Sequence, residues 1–261
     1  MNGAQSLLQT LVNCEVEVCF GNPGTSEMHF VAALDSVPQM RSVLCLFEGV
    51  VTGAADGYGR VAGKPAATLL HLGPGLANGL ANLHNARRAS TPLVNIVGDH
   101  ATYHLQYDAP LTSDIVGFAR PVSAWIHESK SADAVAADAA RAVKAARSAP
   151  GCVSTLILPA ATAWNEAQRA EQKLPDLLPT PVSSAAVDAA ARLLSNGRKT
   201  ALLLRGAALY GAGLEAAGRV QAKTGARLLC DTFAPHAGLG AGRVPVERIP
   251  YFAEQVVDVL K

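Results

Sequence analysis

Short, uninterrupted apolar runs alternate along this chain with longer segments whose apolar residues recur at helical spacing, and this alternation constrains the fold more than any other feature. Residues 16–20, 43–47, 66–72, 93–97 and 153–158 read as strands. Between them lie segments with a helical period. Residues 4–13 put Leu7, Leu8, Leu11 and Val12 on one side. Thr25 or Ser26 can cap a helix through about residue 34, with Glu27 placed favourably in its first turn. A small-residue helix runs from Glu48 to near Gly63, another from Gly73-Pro74-Gly75 through Arg88, and an Ala-rich one spans 132–148. Strands that are apolar at every position must be covered on both faces. The pattern therefore predicts an α/β fold with a parallel, doubly wound sheet. Ligands of such sheets sit outside the carboxyl ends of the strands, where the segments 21–26, 48–53 and 73–79 fall.

Residues 165–181 change character, with Pro175, Pro179 and Pro181 among polar residues. They read as a linker. The expected division is a domain over 1–165, a linker over 166–181 and a partial second α/β domain over 182–261. That second part carries helices at about 184–194, 213–224 and 253–261 and strands at 200–205 and 227–231. It is small for a doubly wound domain, so the chain is expected to stop partway through one.

Composition narrows the function classes. With 49% hydrophobic and 16% charged residues in 261, the chain can fill a large core, which excludes disorder as its main state. Lys and Arg total 22 against 21 Asp and Glu, and aromatics are 5%, so nothing favours a nucleic-acid partner. The five cysteines include no CxxC pair and read as reduced thiols of a cytoplasmic protein. No signal peptide is visible. Residues 65–86 lack charge over a membrane-like length, but Gly73-Pro74-Gly75, three Asn and two His exclude a membrane helix, and no membrane partner is expected.

Glu48 is the most unusual residue, delivered by the apolar run 43–47 and followed by Gly49, Gly53, Ala54, Ala55 and Gly57. Small residues let a ligand approach closely. A carboxyl there is desolvated, which favours its protonated form and suits it to proton exchange. Equally, it can be a carboxylate accepting backbone N–H bonds at the start of the next helix. His71, beside the Gly-Pro-Gly turn, reads either as a hydrogen-bonded core histidine or as a catalyst. Gly73, Gly75 and Gly79 form G-x-G-x-x-x-G, near the dinucleotide fingerprint, with Asp99 where a ribose-binding acid would sit. A nicotinamide-dependent oxidoreductase is thus an alternative. His100 and His104 have the i, i+4 spacing of metal ligands but lie in a segment without a helical pattern, so no metal site is assigned to this chain.

Three motifs taken together carry a family likeness: Phe20-Gly21-Asn22-Pro23-Gly24-Thr25-Ser26-Glu27, Phe47-Glu48-Gly49 with Ala54-Ala55-Asp56-Gly57-Tyr58-Gly59-Arg60, and Gly73-Pro74-Gly75 with Asn78. In this order and spacing they resemble thiamine diphosphate-dependent 2-oxo acid decarboxylases and carboligases of the acetolactate synthase and benzoylformate decarboxylase type. The resemblance covers 1 to about 165 as the pyrimidine-binding domain, and 182–261 as part of the middle domain. It implies that Glu48 hydrogen-bonds the aminopyrimidine and so promotes removal of the thiazolium C2 proton. It also implies that His71 relays protons to bound substrate, that Pro23, Gly24 and Asn78 face the cofactor, and that Thr25 and Gln106 face a 2-oxo acid. A Gly-Asp-Gly motif for Mg²⁺ and diphosphate is missing. The resemblance thus implies half a site, completed by a diphosphate-binding domain of a longer product or of a second chain, in a homodimer or homotetramer. A truncated, non-catalytic relative serving as a binding or assembly module is a further alternative.

Overall fold

The structure, a computed structural model, describes residues 1–177 and 180–261. It forms two compact units, Met1–Leu177 and Leu178–Lys261. Pro179, counted in the expected linker, lies outside the described residues.

In the first unit, the strands β1 (Val18–Asn22), β2 (Arg41–Leu44), β3 (Ala66–Leu70), β4 (Leu93–Asp99), β5 (Trp125–Glu128) and β6 (Val153–Pro159) make one sheet in the order β2-β1-β3-β4-β6-β5, parallel throughout. The central strands β3, β4 and β6 are buried almost end to end, as continuous apolar runs require. The helices α1 (Gly3–Asn13), α2 (Met28–Leu34), α6 (Ala132–Arg147) and α7 (Ala160–Trp164) cover one face. Their core joins Leu7, Leu11, Phe30, Val135 and Ala163 to Ile96 and Leu156. The helices α3 (Glu48–Ala62), α4 (Leu72–Ala89) and α5 (Ile115–Ala119) cover the other, where Val51, Leu76, Leu83 and Ile115 meet Leu70, Val97 and Ile157.

β1 and β3 are neighbours, yet β1 leads into α2 on one face and β3 into α4 on the other. Their carboxyl ends therefore open a crevice, the usual ligand position of such sheets.

The sheet hides a polar ladder. Thr68 Oγ1 donates to Asn95 Oδ1 (2.8 Å), and Asn95 Nδ2 donates to Thr155 Oγ1 (3.0 Å), which lies 2.7 Å from Ser123 Oγ. Thr68, Asn95 and Thr155 are register partners across β3, β4 and β6 and are wholly buried. Any slip of one residue would break the ladder, so it fixes the register at the sheet's centre.

Several expected elements differ. The run 43–47 is not a buried strand. β2 ends at Leu44 and forms the sheet's edge, leaving Leu44 70% and Leu46 89% exposed, with Cys45 buried. β1 starts two residues later than expected, because Glu15 takes a left-handed conformation (φ 65°) to end α1. β5 and α5 were not anticipated. β5 is a half-buried edge strand of mixed polarity, Trp-Ile-His-Glu, which lacks an apolar run. Residues 165–177, expected to link, instead dock along α1. Gly3 N–H donates to Asn165 O, Ala167 N–H to Met1 O, Ser6 Oγ to Arg169 O and Glu171 N–H to Thr10 Oγ1. Lys173 and Arg147 both pair with Glu15 and Asp176.

Among the described residues the second unit has three parallel strands, β7 (Ala201–Leu204), β8 (Arg227–Cys230) and β9 (Glu247–Arg248), in that order. Of its helices α8 (Ser184–Leu194), α9 (Gly211–Thr224) and α10 (Ala253–Leu260), only α9 buries apolar residues, Leu214 and Ala217. Among the described residues no helix is long and apolar enough to cross a membrane.

Candidate active site

The crevice between β1 and β3 gathers most of the residues marked in the sequence. From β1 the chain turns through Pro23 and Gly24 into a single 3₁₀ turn, Thr25–Glu27, before α2. Neither Thr25 nor Ser26 caps a helix with its side chain. The turn is instead held by Glu27, whose Oε2 accepts the Gly24 N–H at 2.7 Å. The same oxygen lies 2.7 Å from His71 Nδ1 at the end of β3. Gly24 lies flat against the imidazole, and a Cβ there would overlap the ring. Glu27 is 1% exposed. Burial pushes its carboxyl above the usual glutamate range, opposed by the Gly24 N–H and by His71. It was expected to serve only the helix terminus, and its pairing with His71 carries no sequence signal beyond the G-x-x-E spacing after Pro23.

Glu48 is the first residue of α3 and is buried. The crevice edge delivers it, but from the exposed segment after β2 rather than from a buried strand. Its Oε2 accepts from Asn78 Nδ2 at 3.0 Å. Among the described residues nothing donates to Oε1. Gly75 joins the two centres, because a Cβ on it would lie 3.5 Å from both Glu48 Oε1 and the His71 Cβ. Glu48 and His71 thus flank one glycine, with Asn78 one turn further along α4. Two further bonds clamp α3 to α4 beneath them. Asn82 Nδ2 donates to Gly49 O (2.7 Å) and Thr52 Oγ1 to Gly79 O (3.0 Å). At the far end of α3, Arg60 and Thr91 both hold Asp56.

Two of the marked residues lie at the surface. Thr25 is exposed at the start of its turn. Gln106 is exposed in a short 3₁₀ turn, and its amide donates back to Tyr103 O.

The nicotinamide alternative is not supported. α4 begins at Leu72, so Gly73, Gly75 and Gly79 lie inside the helix rather than in a loop before it. Each makes room for a protein neighbour: Ser113 at Gly73, Glu48 and His71 at Gly75, Thr52 at Gly79. Asp99 ends β4 and bonds its neighbour's backbone, His100 N–H, at 2.7 Å, and burial pushes its carboxyl above the usual aspartate range. His100 and His104 stand with ring centroids 5.5 Å apart, and the described residues hold no group of three or more metal-ligating side chains.

Residues 1–118 match the family model for the thiamine pyrophosphate enzyme N-terminal TPP binding domain. Those residues are of the thiamine pyrophosphate enzyme N-terminal domain type. The chain is 56% identical over 256 residues, 97% of its length, to a Mycobacterium tuberculosis protein with the provisional name acetolactate synthase large subunit IlvX, of which this covers 49%. It is 33% identical over 181 residues, 69% of its length, to benzoylformate decarboxylase of Pseudomonas aeruginosa, of which this covers 33%. The fold matches that of the Rhodococcus jostii RHA1 thiamine diphosphate-dependent 4-hydroxybenzoylformate decarboxylase, with a TM-score of 0.88 at 20% identity, over all of this chain and 50% of that one. This chain therefore spans about half the length of both the Mycobacterium relative and the Rhodococcus structure. The residues matched by the family model, 1–118, contain the Glu48–His71 crevice.

Proposed function

We propose that this chain supplies the pyrimidine-binding half of a thiamine diphosphate site acting on 2-oxo acids, by decarboxylation or by acetolactate synthase-like carbon–carbon bond formation. One observation carries the reading. Glu48 is a buried carboxylate with one oxygen held by Asn78 and the other without a partner among the described residues, and it flanks Gly75 together with His71. That fits the aminopyrimidine, which needs a carboxyl sharing a proton with a ring nitrogen in a site small residues leave open. When bound, thiamine diphosphate supplies the electron sink for cleaving or forming the bond next to a 2-oxo acid carbonyl. Glu48 holds or yields a proton at its free Oε1. Asn78 fixes the carboxylate's orientation, and the bonds from Asn82 and Thr52 keep α3 and α4 in place around it. His71 exchanges protons with substrate. Pro23 and Gly24 shape the cofactor-facing wall, and Thr25 and Gln106 are assigned to the substrate side.

The reading includes Mg²⁺ and diphosphate bound by a further domain, in the same product or a second chain, within a homodimer or homotetramer. A cytoplasmic location belongs to it as well, consistent with five free cysteines. The test is thiamine diphosphate binding and C2 proton exchange in the natural gene product, purified with any chain that accompanies it. Tight binding, and exchange abolished by Glu48→Gln without loss of fold, are expected. A product that binds no cofactor, or a Glu48→Gln form exchanging at an unchanged rate, overturns the reading.

A further inference from the structure

His71 has two ring nitrogens, and the surroundings of one set what the other can do. Nδ1 lies 2.7 Å from Glu27 Oε2, whereas Nε2 has no partner among the described residues. Glu27 Oε2 already accepts the Gly24 N–H at 2.7 Å. An oxygen approached by two nitrogens at such distances is an acceptor from both, which puts the ring proton on Nδ1. The other oxygen, Glu27 Oε1, is fully buried and has no hydrogen-bond partner among the described residues. A proton placed there would find nothing to bond.

The position of that orphaned oxygen explains a second residue. It lies against Gly98, one residue before the end of β4, and a Cβ at Gly98 would overlap it. Any side chain at 98 must push the carboxylate away, so the absence of one reserves the space for it. Three segments that are distant in sequence therefore converge on one imidazole. The turn after β1 supplies Gly24 and Glu27, the end of β3 supplies His71, and the end of β4 supplies Gly98.

We propose that Glu27 is a positioning residue for His71, holding the proton on Nδ1 so that Nε2 is left bare as the proton-accepting atom, with Gly98 reserving the carboxylate's place. The arrangement has the logic of a carboxylate orienting a histidine in a hydrolase triad. The carboxylate fixes the tautomer and supports the imidazolium formed when Nε2 gains a proton, without accepting that proton itself. Its catalytic meaning rests on the reading of His71 as the group exchanging protons with substrate.

The tautomer can be measured without cofactor or activity. The full chain, labelled with ¹⁵N-histidine, is examined near neutral pH by long-range proton–nitrogen correlation, and the His71 ring is assigned by its loss in His71→Phe. The expected pattern is a ring protonated on Nδ1 with bare Nε2. Glu27→Ala should lose that signature and revert to the Nε2–H form that free imidazole side chains prefer. Gly98→Ala should do the same with the carboxyl chemistry intact, which keeps the proposal testable where Glu27→Ala does not fold. An Nε2–H ring in the unmodified chain overturns the proposal, as does an Nδ1–H ring that survives displacement or removal of Glu27. Loss of thiamine diphosphate binding with the Nδ1–H signature intact would instead count against the assigned function.

Discussion

Asn95 sits at the centre of the sheet with no exposed surface, and its side chain makes two bonds that tie β3, β4 and β6 together. Replacing it with Ala removes both. Thr155 keeps Ser123 as a partner, so its loss is one buried hydrogen bond, worth about 1 kcal/mol. Thr68 loses the acceptor of its hydroxyl and is left with an orphaned buried group, which costs about 1–3 kcal/mol. Together Asn95→Ala should destabilise the first unit by about 3 kcal/mol, before any cavity is counted. The assay is urea unfolding followed by tryptophan fluorescence. Both tryptophans, Trp125 and Trp164, belong to the first unit, so the signal reports that unit. The double variant Thr68→Val with Asn95→Leu is the decisive control. It removes both ends of the bond and replaces them with apolar groups, so much of the loss should return. A loss below about 1 kcal/mol in Asn95→Ala refutes the argument, as does a double variant no more stable than Asn95→Leu alone. Either would mean that the ladder contributes no more than ordinary packing.

The raised carboxyl of Glu27 links stability to pH. The folded state holds that proton more tightly than the unfolded chain, so the contribution is complete below the usual glutamate value of 4.5 and is lost as pH rises through the raised value. Measured against Glu27→Gln across that window, the unmodified chain should therefore lose stability as pH rises, and a flat difference would contradict it. Gly24→Ala forces a methyl into the His71 ring and should cost about 1–3 kcal/mol in the same fluorescence assay, with thiamine diphosphate binding weakened in the cofactor-competent product. Unchanged binding there would separate the turn from the site. Burial pushes the Cys19 thiol up to about 12 and Cys14 up to about 11. Neither should react with iodoacetamide at neutral pH in the folded chain, and rapid labelling of either by mass spectrometry would show that the sheet opens at β1 or at the end of α1.

What could be read from the sequence divides along a physical line. A strand buried on both faces must be apolar at every position, so β3, β4 and β6 were legible, and the doubly wound sheet followed from them. An edge strand has no such obligation. β5 passes unseen because Trp-Ile-His-Glu needs only half its surface covered. The run Leu44-Cys45-Leu46-Phe47 misleads in the opposite sense, being apolar while mostly exposed. The site divides in the same way. Glu48 was conspicuous because glycines and alanines follow it, and a carboxyl among small residues is unusual wherever it lands. Its partner Asn78 stands 30 positions away on another helix and was reached only through the family resemblance. Glu27 looked like an ordinary first-turn acid, because nothing local distinguishes a carboxylate that faces solvent from one turned inward onto a histidine 44 residues later. Gly98 carries no local signal either. The emptiness at Gly98 and the buried oxygen of Glu27 account for each other, and neither has a reason when taken alone. Local chemistry marks a residue, but the reason for it lies in what the sheet order brings beside it. In this fold that meeting place is the crevice where β1 and β3 send their chains to opposite faces.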